Sequence, residues 1–394
     1  MIYPHGRGND SRRGESTDTI AGSTTSTDHV TTLLPPRLAR AALLLLLASV
    51  NGGPLAAAEP SPELAQSIDS MLSRYLKPGA PGAAVIVTDH GLPLFRKAYG
   101  MADVAGNLVL DPSMSLRAGS VTKQFTAAAI MLLAEQGKLA LDDRIDKYLP
   151  GYPMPDTPVT IEHLLTHTSG IRNYTALPRF GEVMSADTSV DDGIAFFKDA
   201  APEFKPGDRF AYSNSNYFLL GAIIERVSGM PYADFMAQRI FAPLQLTHTV
   251  IETGAAAGTV VGYTQERRNV VASPNYSMRW PYAAGALRTS VDDLALWDQA
   301  IAQGKLLKPE SWNRMSTSHL LHGKRPTGYG YGFFIRTMRG KAAIEHGGDI
   351  GGFSADTLRF PQEGIFIAVL GNSDSASPAP DALAEKIAAL VLQR

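Results

Sequence analysis

The first regular hydrophobic pattern lies at residues 64–75, where apolar side chains recur at steps of three and four residues. Ser61 and Pro62 come directly before it, and serine suits a helix N-cap while proline suits the first helical turn. Pro78 and Gly79 follow it and stop a helix. We therefore predict an opening helix whose buried stripe consists of Leu64, Ile68, Met71, Leu72 and Tyr75.

Short apolar segments separated by turn residues predict strands on both sides of a long middle region. Val85–Val87 and Leu94–Phe95 flank Asp89-His90-Gly91, an arrangement typical of a hairpin. Further on, Pro361–Gly364 has turn residues between two apolar segments, and an apolar stripe after Asp381 predicts a final helix. The C-terminal strand candidates are Tyr331–Ile335, Ala342–Glu345, Phe353–Phe360 and Ile365–Leu370.

The middle region has the pattern of helices with long connections. Its apolar runs Thr126–Leu133 and Tyr217–Ile224 are followed by Gly137 and Gly229, as is typical of helix C-termini. We expect an α/β (α+β) fold in which an antiparallel sheet, shared by both ends of the chain, is flanked by helices. The predicted domain is 59–394, divided into a sheet subdomain (59–117 and 321–394) and an inserted, mainly helical subdomain (118–320).

The first 58 residues have the pattern of a leader. Residues 1–36 are polar without apolar periodicity, and a basic patch at Arg37–Arg40 precedes the apolar run Ala41–Val50. That run is shorter than the ~20 residues that span a bilayer, and small residues follow it up to Ala58. We predict a disordered leader and a signal peptide cleaved near Ala58. The protein is then expected to be exported, periplasmic or secreted, without a stable membrane span.

Composition excludes several classes of function. The 394 residues include 36 basic and 38 acidic ones, for a net charge of −2, so no basic excess exists to neutralise nucleic-acid phosphates. The chain has no cysteine, which excludes disulfides, thiolate catalysis and cysteine-ligated zinc. Hydrophobic residues make up 44%, which is enough for a large core.

The segment Ser120-Val121-Thr122-Lys123 offers nucleophilic chemistry. Gly119 precedes it and an apolar, alanine-rich run follows, which places Ser120 at a predicted helix N-terminus. Residues three apart share a helix face, so Lys123 points the same way as Ser120. A serine nucleophile needs a nearby base, and burial can deprotonate a lysine by lowering its pKa. The simpler alternative is an N-cap serine with a surface lysine.

Two later segments could line the same cleft. In Tyr212-Ser213-Asn214 a phenol can move protons to a leaving group and an amide can hold a carbonyl, although a plain loop tyrosine is the simpler interpretation of this segment alone. In His346-Gly347-Gly348 the histidine is predicted to end a strand, and the glycines let a substrate backbone approach. An edge strand there could bind a peptide by strand addition, and the alternative is a turn.

In the order S-x-x-K, Y-x-N, H-x-G, these segments resemble the serine β-lactamase and penicillin-binding protein superfamily. The closest branch is the class C β-lactamase-related group of serine hydrolases. The segments Leu164–Gly170, Tyr212–Tyr217 and Phe353–Asn372 also resemble that group. The resemblance covers residues 62–394 and implies that group's fold.

The resemblance implies that Ser120 is the acylated nucleophile and that Lys123 and Tyr212 share the base and acid work. Which of the two takes the first proton stays open at this point. Backbone N–H groups of Ser120 and Asp349 would form the oxyanion hole, where each donor is worth about 3 kcal/mol or more.

For the substrate, the resemblance implies that Asn214 holds an amide and that His346, Gly347 and Gly348 line the groove. β-Lactamases of this type usually carry Lys-Thr-Gly on that strand. Arg325-Pro326-Thr327-Gly328 comes before the right strand, and its proline is awkward in a central strand. The H-x-G form resembles D-alanyl-D-alanine peptidases, D-aminopeptidases and related esterases.

Other patterns favour structural roles. His163 and His167 are four apart, as in some zinc sites, but no glutamate lies between them, and helix capping and packing are favoured. Ser273-Pro274-Asn275 could mimic a motif that supplies an asparagine amide, but Tyr212-Ser213-Asn214 lies in a better sequence context. The three tryptophans are expected to pack in the core; they are Trp280, Trp297 and Trp312.

We therefore expect a serine hydrolase that forms an acyl-enzyme on D-amino-acid peptides or small carboxyl esters, with no metal or organic cofactor. The partner is a small-molecule or peptide substrate, with no nucleic acid, and the oligomeric state is left open. A class C-like β-lactamase is one alternative, and a non-catalytic penicillin-binding or peptidoglycan-sensing module is another. His346 is expected to be mostly uncharged near neutral pH, because Glu345 should point to the opposite sheet face.

Overall fold

The computed structural model describes residues 62–254, 258–274 and 276–393. Its helices alternate with strands at both ends and dominate the middle. They are α1 Pro62–Leu72, α2 Thr122–Glu135, α3 Ile161–Leu165, α4 Phe180–Val183, α5 Val190–Phe197, α6 Asn214–Ser228, α7 Tyr232–Met236, α8 Tyr282–Gly285, α9 Val291–Ala302, α10 Pro309–Met315 and α11 Pro380–Val391.

The strands follow the same division between the ends and the middle of the chain. They are β1 Ala83–Asp89, β2 Leu92–Tyr99, β3 Met101–Asp103, β4 Leu108–Val109, β5 Leu116–Gly119, β6 Val250–Ile251, β7 Tyr263–Glu266, β8 Asn269–Ala272, β9 Leu287–Thr289, β10 Leu320–Leu321, β11 Arg325–Pro326, β12 Phe334–Met338, β13 Lys341–Ile350, β14 Phe353–Phe360 and β15 Ile365–Gly371.

A six-stranded sheet joins the two ends of the described chain. Its order is β12-β13-β14-β15-β1-β2, and the neighbouring strands are antiparallel. The hairpin β1–β2 therefore adds to the edge of a C-terminal meander through β15. This confirms the expected α/β (α+β) fold with an antiparallel sheet shared by both ends.

Helices cover both faces of the sheet because its central strands are apolar on both faces. In β1, Val85 and Val87 belong to the core shared with α1 and α11, whereas Ala84 and Ile86 belong to the core on the α9 side. Successive strand residues face opposite sides, so one apolar run supplies two cores. Trp280, Trp297 and Trp312 are buried, as expected for packing residues.

Several boundaries differ from the predictions. Helix α1 ends at Leu72, so Tyr75 lies beyond it and is exposed. The predicted strand Tyr331–Ile335 begins only at Phe334, because a turn precedes it. The prediction that His346 ends a strand is wrong, since β13 continues to Ile350 through pairing with β14. Short strands also occur within the middle region, as β6 to β9 show.

Some predictions fall outside the described residues. They concern the leader, its cleavage near Ala58, the N-cap at Ser61, and Asn275 of the weaker candidate segment Ser273-Pro274-Asn275. Export therefore stays a prediction. Among the helices of the described ranges, none has the length and apolar character needed to cross a membrane.

Candidate active site

Ser120 lies at the junction between β5 and α2. Gly119 ends the strand with a left-handed φ of +50°, a conformation that glycine adopts without a steric penalty. The Thr122 hydroxyl donates to the Gly119 carbonyl at 2.6 Å and accepts from the Leu287 N–H at 2.9 Å. These bonds fix the turn that presents Ser120 at the start of α2.

Lys123 is the second residue of α2, and its side chain is fully buried. Its Nζ lies 3.0 Å from Ser120 Oγ, 2.8 Å from Asn214 Oδ1 and 2.7 Å from the Ala284 carbonyl oxygen. Burial lowers the pKa of Lys123 well below its ordinary value, because the charged form is poorly solvated there.

These contacts match a neutral amine at Lys123. The oxygen atoms of Asn214 and Ala284 can only accept hydrogen bonds, so each requires an N–H from Nζ. A neutral amine has two N–H groups for them and one lone pair. That lone pair is left for the hydroxyl proton of Ser120, which lies at hydrogen-bond distance. The arrangement can supply the base that a serine nucleophile needs.

Tyr212 places its phenol beside Ser120 and Lys123. Its ring centroid lies 4.8 Å from Lys123 Nζ and 4.3 Å from the ring centroid of His167. The hydroxyl is buried and makes no hydrogen bond of normal geometry within the described chain. Burial raises the pKa of Tyr212 above its ordinary value, and the nearby Ser120 side chain opposes that rise. The phenol is therefore protonated at neutral pH.

Asn214 begins α6 and is buried. Its Oδ1 accepts from Lys123 at 2.8 Å, and its backbone N–H donates to Asn173 Oδ1 at 3.2 Å. Because Oδ1 is engaged on Lys123, the side-chain group left for another partner is the NH2 donor. Such a donor can hold a carbonyl oxygen of a substrate.

Strand β13 runs past the Ser120 turn. Its ladder with β12 stops at the pair Phe334–Glu345, whereas its ladder with β14 continues to Ile350. Beyond Glu345, β13 is therefore bonded as a strand on one side. An edge of this kind can pair with an extended peptide.

Two glycines let β13 touch the Ser120 turn. A Cβ placed on Gly348 would lie 2.1 Å from the Ala118 carbonyl oxygen and 2.5 Å from Ser120 N. A Cβ placed on Gly119 would lie 2.9 Å from Asp349 N. The backbone amides of Ser120 and Asp349 are thus brought next to each other, as an oxyanion hole requires.

His346 is buried beside this edge with both ring nitrogens engaged. Nδ1 lies 2.7 Å from the Gly347 carbonyl oxygen, which can only accept, so Nδ1 carries the proton. Nε2 lies 3.1 Å from the Tyr329 hydroxyl, which donates to it when the ring is neutral. Burial lowers the pKa of His346 to about 3, because the charged imidazolium is poorly solvated there. The ring is therefore neutral near pH 7.

The neighbours of His346 in the strand point away from it. Glu345 forms an ion pair with Arg336 and faces α11, as the alternation of strand side chains predicts. Asp349 accepts a hydrogen bond from the Ser354 hydroxyl at 2.6 Å. The contribution of Asp349 to the Ser120 turn is therefore its backbone amide.

The other candidate segments lie elsewhere or act structurally. His163 completes a capping box with Thr160 at the start of α3, and His167 packs among aromatic rings. Arg325 and Pro326 belong to the two-stranded ribbon β10–β11 and not to the main sheet. Within the described ranges, no group of three or more His, Cys, Asp or Glu side chains could hold a metal ion.

Comparison with known proteins identifies the family of this site. The family model described as Beta-lactamase matches residues 68–392, which include the six-stranded sheet, the Ser120 turn and the Tyr212 loop. The chain belongs to the Beta-lactamase family. This family is one of serine hydrolases and of penicillin-binding proteins related to them.

Among relatives of this Beta-lactamase family member, the protein Flp of Staphylococcus aureus is 29% identical over 324 residues, which are 79% of this chain and 63% of Flp. The chain therefore spans less than two thirds of that relative. The octameric penicillin-binding protein homologue from Pyrococcus abyssi is 30% identical with a TM-score of 0.72, covering 84% of this chain and 77% of that chain. A D-stereospecific amidohydrolase from Streptomyces sp. is 27% identical with a TM-score of 0.68, covering 82% and 97%.

Three participants in this site were not predicted from the sequence. The Ala284 carbonyl carries no signal, because any residue has one. Tyr329 binds His346 from the segment before β12, which only the folded chain brings close. His167 lies in a segment that was interpreted as capping and packing, and its contact with Tyr212 joins residues far apart in sequence.

Proposed function

We propose that this protein is a serine hydrolase that forms an acyl-enzyme at Ser120 and acts on D-amino-acid peptides or small carboxyl esters. The observation that carries the proposal is the buried Lys123, whose Nζ lies 3.0 Å from Ser120 Oγ and has oxygen acceptors for two N–H groups. A lysine that serves only as a surface charge needs no such burial.

The first step assigns the base to Lys123. Burial lowers the pKa of Lys123 and raises that of Tyr212. Burial thus favours the neutral amine, whose two N–H groups have acceptors in Asn214 and Ala284 and whose lone pair is left for Ser120. Lys123 takes the Ser120 proton as Oγ bonds to the substrate carbonyl carbon. The developing oxyanion lies between the amides of Ser120 and Asp349, where preorganised donors stabilise it.

The second step assigns the acid to Tyr212. Its buried phenol is protonated, and it gives that proton to the leaving amine or alkoxide as the carbonyl–leaving-group bond breaks. The Lys123 ammonium then returns a proton to the phenolate, since Nζ lies beside the Tyr212 ring. Water then attacks the acyl carbon and passes a proton through Tyr212 and Lys123 to Ser120 Oγ. The bond between Oγ and the acyl carbon breaks, the carboxylic acid leaves, and the enzyme is restored.

The substrate preference follows from the strand edge. A lysine in place of His346 would offer a cation to a substrate carboxylate. His346 is instead neutral, and its two ring nitrogens are hydrogen-bonded to Gly347 and Tyr329 within the protein. The edge from His346 to Ile350 can pair with an extended peptide, and the Asn214 NH2 can hold its carbonyl. The Streptomyces relative, described as a D-stereospecific amidohydrolase, supports D-amino-acid substrates.

A hydrolysis panel tests this proposal. We expect turnover of a D-alanine p-nitroanilide, a D-Ala-D-Ala peptide or p-nitrophenyl butyrate to exceed that of nitrocefin and benzylpenicillin at pH 7.5. The Ser120→Ala variant should lose all turnover, because alanine removes the nucleophile and is tolerated where Ser120 lies. Faster hydrolysis of benzylpenicillin than of every ester and D-amide would replace the proposal with a β-lactamase. Binding of penicillin without turnover of any substrate would indicate a non-catalytic module.

A further inference from the structure

His167 contacts Tyr212 in a way that packing alone does not require. It follows α3 in the loop Thr166–Gly170, is fully buried, and has a φ of +55°. Positive φ is uncommon for a residue other than glycine, and such conformations persist where surrounding contacts enforce them. Here the contacts converge on the loop that carries Tyr212.

The residues on both sides of Tyr212 are bonded to His167. The Ala211 N–H donates to the His167 carbonyl at 2.9 Å, and the Ser213 N–H donates to His167 Nδ1 at 3.2 Å. The imidazole also packs against the phenol ring, with 4.3 Å between centroids. One residue thus holds the backbone on both sides of Tyr212 and contacts its side chain.

The same bonds fix the tautomer of His167. Because the Ser213 N–H can only donate, Nδ1 must be the acceptor, and the proton of the neutral ring is on Nε2. Asn216 Nδ2 also approaches Nδ1 at 3.2 Å, and Asn216 Oδ1 is taken by the Ser169 hydroxyl at 2.6 Å. The acceptor nitrogen of the imidazole is therefore directed to the start of α6, whose first residue is Asn214.

We propose that His167 is the positioning residue for Tyr212, holding the phenol at the distance from Ser120 that proton transfer to the leaving group requires. The proposal rests on the function proposed above, in which Tyr212 is the general acid. His167 itself touches neither Ser120 nor Lys123 through any described hydrogen bond. Its effect is therefore predicted to depend on how much the leaving group needs a proton.

Leaving-group dependence separates positioning from mere stability. A p-nitrophenolate leaves without a proton, whereas the amine of a D-alanyl amide must be protonated as it departs. A misplacement of about 1 Å can cost roughly 10²-fold in rate. We expect His167→Asn to lower kcat/KM for the D-amide by about that factor and for p-nitrophenyl butyrate by less than about threefold. Asparagine tolerates positive φ and removes the ring contact.

Two further variants make the test specific. His167→Phe keeps an aromatic ring but removes the Nδ1 acceptor. It should therefore show the same selective loss on the amide, because the hydrogen bond from Ser213 is gone. Tyr212→Phe should reproduce the selective loss, and adding His167→Asn to it should cost little more, because the two changes act on one step. His163→Asn, in the nearby capping box, should affect amide and ester alike.

The outcomes are distinguishable. The positioning role is supported if either His167 variant loses kcat/KM selectively on the amide. It also requires that His167→Asn cause little further loss when it is added to Tyr212→Phe. Equal losses on amide and ester in both folded variants, or no loss in either, would overturn it. Labelling of Ser120 by a fluorophosphonate in the wild type is measured in parallel, and its absence would instead remove the proposed acyl-enzyme function.

Discussion

At the scale of single residues, the proposed mechanism uses burial to divide the work between acid and base. Lys123 and Tyr212 are both removed from water, and burial disfavours the charged form of each. Burial therefore favours the free amine of the lysine and the phenol of the tyrosine. Both are the forms that the proposed acylation step uses. In the proposed mechanism, the order that the sequence leaves open follows from the directions of the two pKa shifts and from the contacts of Lys123 Nζ.

The same effect makes a prediction for His346. Its pKa is about 3 in the folded protein and about 6.5 in an unfolded chain. As pH falls below 6.5, the unfolded state binds a proton that the folded state does not, so stability is lost toward acid pH. Relative to His346→Gln, the wild type should lose about 2 kcal/mol of unfolding free energy between pH 7 and pH 5.

Urea unfolding at the two pH values measures this difference. The ratio of ester to benzylpenicillin hydrolysis should also stay constant between pH 5.5 and 8.5, because His346 does not change charge in that range. A stability difference that is independent of pH, or a hydrolysis ratio that follows a titration near pH 6.5, would show that His346 ionises in the folded protein.

At the scale of elements, the site depends on one close backbone approach. β5 ends at Gly119 against β13 at Gly348, and a Cβ on Gly348 would lie within 2.5 Å of two backbone atoms. Neither neighbour is the end of a flexible side chain. The distance between the amides of Ser120 and Asp349 is therefore set by the absence of a side chain.

Gly348→Ala should separate β13 from the Ser120 turn and misplace the oxyanion donors. Loss of one such donor costs about 10²- to 10³-fold in kcat, and we expect a loss of that order on the ester and the D-amide alike. Steady-state kinetics measure it, with melting temperature as the check on folding. Gly181→Ala, at an exposed α4 position where a Cβ meets nothing within 4 Å, is the matched control. Equal activity of the two variants would refute the close-approach account.

At the scale of the whole molecule, periodicity and motif order predicted most of the architecture. The strands Phe353–Phe360 and Ile365–Leu370 were located closely, because apolar runs with a turn between them have one plausible pairing. The extent of β13 was missed, since glycines at Gly347 and Gly348 resemble a turn until β14 is seen beside them. The Ala284 carbonyl, Tyr329 and His167 could not be assigned, because their roles arise from contacts between distant segments.

The central claim is that Ser120, activated by Lys123, carries the acyl group. The most direct measurement is peptide mass spectrometry of the protein after reaction with a fluorophosphonate at pH 7.5. We predict a single adduct, on the peptide that contains Ser120. Its formation should be much slower in Lys123→Met, and the adduct should be absent in Ser120→Ala. An adduct on another serine, or undiminished labelling of Ser120→Ala, would contradict the account.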